Sequence, residues 1–191
     1  MGDLLRRRTM VKKTSAPPVP GLLYKWDFTK SITDEIQHLT ATGTFETTSE
    51  GVYLSTVNSY VMFSDLFASN HSYQFDITAN SVPSRGNSHG RFIMITTERG
   101  FIYRSTGYWS FWAGNWDAHD TSKTNINAIV GKTVTLYVDA NNYWHIYIDG
   151  VSFLDWNAPC DGTNLQIGSG QNSLYGITVS GVRIYEGEVL T

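Results

Sequence analysis

From Leu22 onward, apolar and polar positions alternate with a period of two. In YQFDIT, Tyr73, Phe75 and Ile77 fall on one face, and Gln74, Asp76 and Thr78 on the other. That pattern predicts a strand with one buried and one wetted side. It returns in TVTLYVDA, through Val134, Leu136 and Val138, and in YWHIYIDG, through Trp144, Ile146 and Ile148. Between these two, Ala140-Asn141-Asn142 supplies a turn, because Asn tolerates the positive φ of a tight hairpin; Asp149-Gly150 supplies the next turn, into VSFLDW. Further runs of the same kind are LLYKWDFT, GVYLS, YVMF, GRFIMITT, GFIYRS, YWSFWA, LQIG and GVRIYEG. About ten to twelve short strands at this spacing predict an all-β, antiparallel sandwich. SITDEIQHL, residues 31–39, holds at most a helical turn, with Ser31 and Glu35 near capping spacing.

Composition narrows this to one body and an arm. The 191 residues are 41% apolar, enough for a single compact core, and aromatics (14%) nearly match charges (16%), as in strand-rich proteins. A lone Cys160 makes no internal disulfide. No stretch reaches the roughly 20 apolar residues of a membrane span, and Arg6 stands where a myristoylation signal needs Ser or Thr. Residues 1–20 hold Arg6, Arg7, Arg8, Lys12 and Lys13 against Asp3, leaving nine basic and sixteen acidic residues elsewhere, a net of −7. SAPPVPG, residues 15–21, reads as an extended linker. Residues 1–20 are therefore expected to be a basic arm, either solvated or docked on a partner protein, and 21–191 the folded domain. Nucleic acid and membrane are not expected partners of so acidic a body.

YWSFWAGNWDAHD, residues 108–120, raises the question of function. On a strand, Trp109 and Phe111 share one face, and Tyr108, Ser110 and Trp112 the other; both cannot be core. An aromatic plate with amides and carboxylates beside it matches the apolar face and hydroxyl rim of a sugar. Trp112, Asn115, Trp116, Asp117 and His119 are the candidate ligand-binding residues, the last four read as lying on the loop after the strand. A second candidate set, Arg85, Asn87, His89 and Arg91, lies in the polar stretch SVPSRGNSHGRF, read as a loop. IGSGQN, residues 167–172, reads as a small-residue turn without a role. No phosphate-binding loop, Ser/His/Asp arrangement or zinc-type Cys/His spacing is present, so no cofactor is expected.

Three segments carry a resemblance. LLYKWDFTKSITDEI, the hairpin pair KTVTLYVDANNYWHIYIDGVSFLDW, and the closing LYGITVSGVRIYEGEV together resemble the concanavalin A-like lectin/glucanase superfamily, in particular its laminin-G-like branch. The resemblance spans Leu22 to Val189 and implies a jelly-roll sandwich of two antiparallel sheets, with Trp26 and Phe28 packed inward from the first strand. A short basic N-terminus before one such domain is also similar to virion-surface proteins of tailed bacteriophages. The laminarinase branch carries a Glu-x-Asp-x-x-Glu run, which is absent, and the acids are scattered with only Asp117 and Asp120 near one another in an aromatic setting. The resemblance also implies a calcium ion at a sheet edge, for which NWDAHD and DANN offer oxygens without a strict ligand spacing. The expectation is a non-enzymatic, carbohydrate-binding domain on a virion surface, held by its arm to a virion structural protein and displayed in many copies. The alternatives are a structural decoration or cement protein and, third, a glycan-degrading enzyme without its usual motif.

Overall fold

A computed structural model describes residues 21–78, 83–86, 89–96, 99–113, 116–156 and 162–190; the side chains of residues 96 and 116–119 lie outside that description. Among the described residues the fold is all-β, an antiparallel sandwich of two sheets. The first sheet contains β1 (Leu22–Asp27), β3 (Glu46–Thr48), β4 (Gly51–Leu54), β6 (His71–Thr78), β11 (Lys132–Val138), β12 (Trp144–Ile148), β13 (Val151–Trp156) and β15 (Ile177–Glu186). Its order is β13-β12-β11-β6-β15-β4-β3, with β1 pairing the second half of β15. The other sheet contains β2 (Thr42–Thr44), β5 (Tyr60–Phe63), β7 (His89–Thr96), β8 (Arg99–Arg104), β9 (Trp109–Ala113), β10 (Trp116–His119) and β14 (Leu165–Gly168). It runs β10-β9-β8-β7-β14-β5-β2.

The alternation in the sequence is the alternation of the sheets. Tyr73, Phe75, Ile77, Val134, Leu136 and Val138 are buried and meet Val61, Phe92, Phe101, Trp109, Phe111 and Ile167 from the facing sheet in one core. Burying each such side chain contributes about 1.5–3 kcal/mol. Aromatic edges bridge the layers: Phe111 meets Trp144 at 5.7 Å and 82°, and Phe101 meets Phe153 at 6.2 Å and 83°. Trp26 and Phe28 point inward as expected, and the Trp26 Nε1–H donates to the Leu39 carbonyl at 3.2 Å.

Two turns fold as their residues require. Asn142 takes φ 62°, and the Asp139 carboxylate accepts from the backbone N–H of Asn141 (2.7 Å) and Tyr143 (2.8 Å), closing the β11–β12 hairpin. Asp149 (φ 49°) and Gly150 (φ 74°) are both left-handed, the geometry of a type I′ turn between β12 and β13.

Two expectations change. SITDEIQHL forms no helix; the Thr33–Thr40 bridge closes it into a turn, and buried Asp34 accepts from the Lys25 N–H at 2.5 Å. Among the described residues a single 3-10 turn occurs, at Ile126–Ile129, where the Asn125 side chain accepts from the Asn127 N–H at 3.0 Å. The segment 116–119, read as loop, is strand β10, paired with β9 through Trp116–Ala113, Asp117–Trp112 and His119–Ser110. The basic arm, with Arg6, Arg7, Arg8, Lys12 and Lys13, lies outside the described residues.

Candidate functional site

Strand β9 presents its two faces to different surroundings. Trp109 is fully buried between the sheets, stacked on Phe101 at 4.7 Å, with its indole N–H donating to the Asn125 carbonyl at 2.9 Å. Trp112 is on the opposite, outer face and half-buried. Thus Trp109 belongs to the core and Trp112 to the outer face.

The outer face beside Trp112 is built by β7 and β8. The Arg91 guanidinium carbon lies 5.1 Å from the centroid of the Trp112 ring, a cation–π stack, and Arg91 is only 9% exposed. His89 packs on the same indole at 5.2 Å. Met94 and Ile102 are fully buried yet lie outside the central core cluster, so this face has an apolar floor of its own. Arg104 donates through Nε to the Ser110 hydroxyl at 3.1 Å.

A loop fixes the other side of Arg91. Arg91 Nη1 donates to the Ser169 hydroxyl at 3.0 Å, its backbone N–H donates to the Asn172 carbonyl, and its carbonyl accepts from the Leu174 N–H, both at 2.8 Å. The loop is itself tied down, because the Ser169 N–H donates to the Ser173 hydroxyl at 2.6 Å. Next to this junction opens a cleft of about 510 Å³, lined by Tyr60, Met62, Arg91, Gln166, Ser169, Gly170 and Gln171. Among the described residues its lining combines a phenol, a thioether, two amides, a hydroxyl and one cation, with no carboxylate.

His89 is the titratable group whose behaviour this packing alters. Desolvation first, then the positive charges of Arg91 and Arg104, holds its pKa below the ordinary 6.5. Its Nε2 is buried and has no hydrogen-bond partner among the described residues.

The two candidate sets named from sequence therefore meet at one place, through Arg91, His89 and Trp112. Arg91 and His89 are strand residues of β7 and not loop residues, because the β7–β8 ladder begins at the His89–Arg104 pair. Arg85 stands apart from the cleft lining, donating to the carbonyls of Gly86 (3.2 Å) and Ser105 (3.0 Å). Asn87 and Asn115 lie outside the described residues; for Trp116, Asp117 and His119 only the backbone of β10 is described. The small-residue turn IGSGQN, read as roleless, supplies Ser169, Gly170 and Gln171 to the cleft wall. Tyr60, Met62, Gln166 and Gln171 were not marked by any motif. The available signal was alternation: in YVMF and LQIG the residues between core positions must face outward, and Tyr60, Met62 and Gln166 do. Among the described residues no three His, Cys, Asp or Glu side chains gather as a metal site, and Asp139 of DANN is engaged as a turn cap.

No protein-family model matches the chain, and no curated protein does. Solved structures do. A mutant of Trypanosoma rangeli sialidase displaying trans-sialidase activity matches with TM-score 0.69 at 16% identity, over 92% of this chain and 32% of that one. Trypanosoma rangeli sialidase in complex with sialic acid matches with TM-score 0.66 at 14% identity, over the same shares. Domain 4 of AbnA, a GH43 extracellular arabinanase from Geobacillus stearothermophilus, in complex with arabinotriose, matches with TM-score 0.57 at 17% identity, over 89% of this chain and 94% of that one. The chain thus spans about a third of the sialidases and nearly all of the arabinanase domain. The expectation that the chain is not an enzyme is corrected here: its first structural matches are sialidases, so the fold is one that glycosidases contain. None of these three is named as a laminin-G domain or a phage protein. At these identities the likeness establishes the fold alone, a β-sandwich.

Proposed function

We propose that the chain is a carbohydrate-binding domain whose site is the cleft on the outer face of the seven-stranded sheet. The observation that carries this is the fixed pair of Arg91 and Trp112 beside a cleft walled by Tyr60, Gln166 and Gln171. Flat aromatic and guanidinium surfaces receive the C–H face of a sugar, and amides and a hydroxyl meet its rim. The side chain at the centre is held by a strand on one side and a tied loop on the other, so little ordering is required on binding. Support also comes from the structural neighbours, one solved with sialic acid and one with arabinotriose. A glycan array probed with wild type, Tyr60→Ala and Trp112→Ala tests the proposal. Wild-type signal that falls about tenfold or more in both variants is expected; absence of any wild-type signal, or signal indifferent to both changes, contradicts it.

The virion-surface setting, with residues 1–20 as the attachment, belongs to the same proposal and rests on the sequence resemblance. Removal of residues 1–20 is expected to abolish particle association while the body stays folded; unchanged association contradicts it.

A further inference from the structure

Resting on the carbohydrate-binding reading, we infer that the glycan carries an acetyl group, seated in a second hollow that adjoins the cleft at Met62. Met62 lines both cavities, the cleft of about 510 Å³ and a hollow of about 100 Å³. On β5 it is paired with Gln166 of β14 on one side and with Thr42 of β2 on the other. Gln166 belongs to the cleft and Thr42 to the hollow. At the usual strand spacing these two stand about 10 Å apart, so a sugar ring in the cleft can project a substituent past Met62 into the hollow.

The hollow suits a small, neutral, half-apolar group. Trp26 and Phe63, packed edge to face at 4.7 Å, give it an apolar lining together with Leu39 and Leu66. Thr40, Thr42 and Ser64 are exposed and add hydroxyls. No lining residue is charged, so a sulfate, carboxylate or ammonium would lose water there without a counter-charge in the lining. A space of this size equals the share of about three water molecules, room for the methyl and carbonyl of an acetyl group and too little for a second sugar ring. The methyl then meets the indole and the leucines, and the carbonyl accepts from a hydroxyl. Leu39, 42% exposed, is one of the few large apolar side chains left open to solvent among the described residues, and the methyl covers it. The wall is set in advance. The Leu39 carbonyl accepts from the Trp26 Nε1–H at 3.2 Å and from the Asp34 N–H at 2.8 Å, and the Thr33 and Thr40 hydroxyls are bonded at 3.1 Å. Groups fixed beforehand need little ordering on binding.

The test is a glycan array of matched pairs in two arms: N-acetylhexosamine oligosaccharides beside hexose oligosaccharides of the same linkage, and O-acetylated oligosaccharides beside their saponified forms. In at least one arm the wild-type protein is expected to bind the acetylated member about tenfold or more better than its partner. The arm that responds tells an amide-linked acetyl from an ester-linked one. Two variants place the effect. Thr42→Phe, at an exposed position of β2, fills the hollow, and Leu39→Ala removes part of its apolar wall. Each is expected to bring the acetylated member down to its partner, while an unchanged β-sheet circular dichroism spectrum shows the fold intact. Equal or weaker binding of the acetylated members by wild type in both arms overturns the inference and leaves the carbohydrate reading standing. A preference kept at full strength in both variants also overturns it, because the acetyl group is then held elsewhere. No binding to any member overturns the carbohydrate reading together with the inference.

Discussion

Two tryptophans three residues apart on β9 have different physical duties. Trp109, fully buried and touched by Phe92, Phe101 and Tyr103, fills the core; Trp109→Ala is expected to cost about 3–5 kcal/mol by urea denaturation. Trp112→Ala removes a half-buried ring and a cation–π contact, so a loss below about 2 kcal/mol is expected in the same experiment, with the larger effect on ligand binding. Equal losses would contradict the assignment of faces. His89 gives a second residue-level expectation. Its pKa is held below 6.5 by desolvation and by Arg91 and Arg104, so the folded state takes up its proton less readily than the unfolded chain. Stability is then fully present above pH 6.5 and falls as pH drops from there toward the folded-state value. An NMR titration of the His89 ring is expected to show a midpoint below 6.5, and a midpoint above it contradicts the packing described.

At the level of strands and turns, glycine positions make the sharpest predictions. A Cβ at Gly100 would lie 2.2 Å from the Ile93 carbonyl and 2.4 Å from the Met94 sulfur, where β7 is irregularly paired with β8. Gly100→Ala is therefore expected to lower the melting temperature by several degrees, about 2–4 °C per kcal/mol lost, whereas Gly131→Ala has open space and carries only its left-handed φ of 70°. Most strands were legible from the sequence, because alternation and turn chemistry act locally: the β11–β12 hairpin follows from its Asn-Asn turn and the β12–β13 hairpin from Asp149-Gly150. Strand β10 was missed, although a Gly-Asn dipeptide between two aromatic segments is itself a hairpin signal. Arg91 was read at once in the strand run GRFIMITT and in the polar stretch SVPSRGNSHGRF; it is strand, where an aromatic ring and a hydroxyl accommodate its charge. The role of IGSGQN was illegible for a different reason. What a small-residue turn does depends on the surface it packs against, and that surface is brought to it by β7, about eighty residues earlier in the chain.

Over the whole molecule, the two sheets differ in what their outer faces are free to do. The eight-stranded sheet is partly covered by the chain's own segment 187–190. The Ser72 hydroxyl donates to the Gly187 carbonyl at 2.7 Å and accepts from the Val189 N–H at 2.9 Å, and Gln74 donates to the Val189 carbonyl at 3.3 Å. Deleting residues 187–191 is expected to cost about 2 kcal/mol by leaving these buried groups unmet, without changing ligand binding. The seven-stranded sheet instead carries the cleft, with Arg91 at its floor. The most direct measurement of the central claim is backbone amide chemical-shift mapping during titration with a glycan found on the array. Shifts concentrated on β5, β7, β9, β14 and residues 169–171 are predicted; shifts concentrated on the eight-stranded sheet would contradict the site, and the account with it.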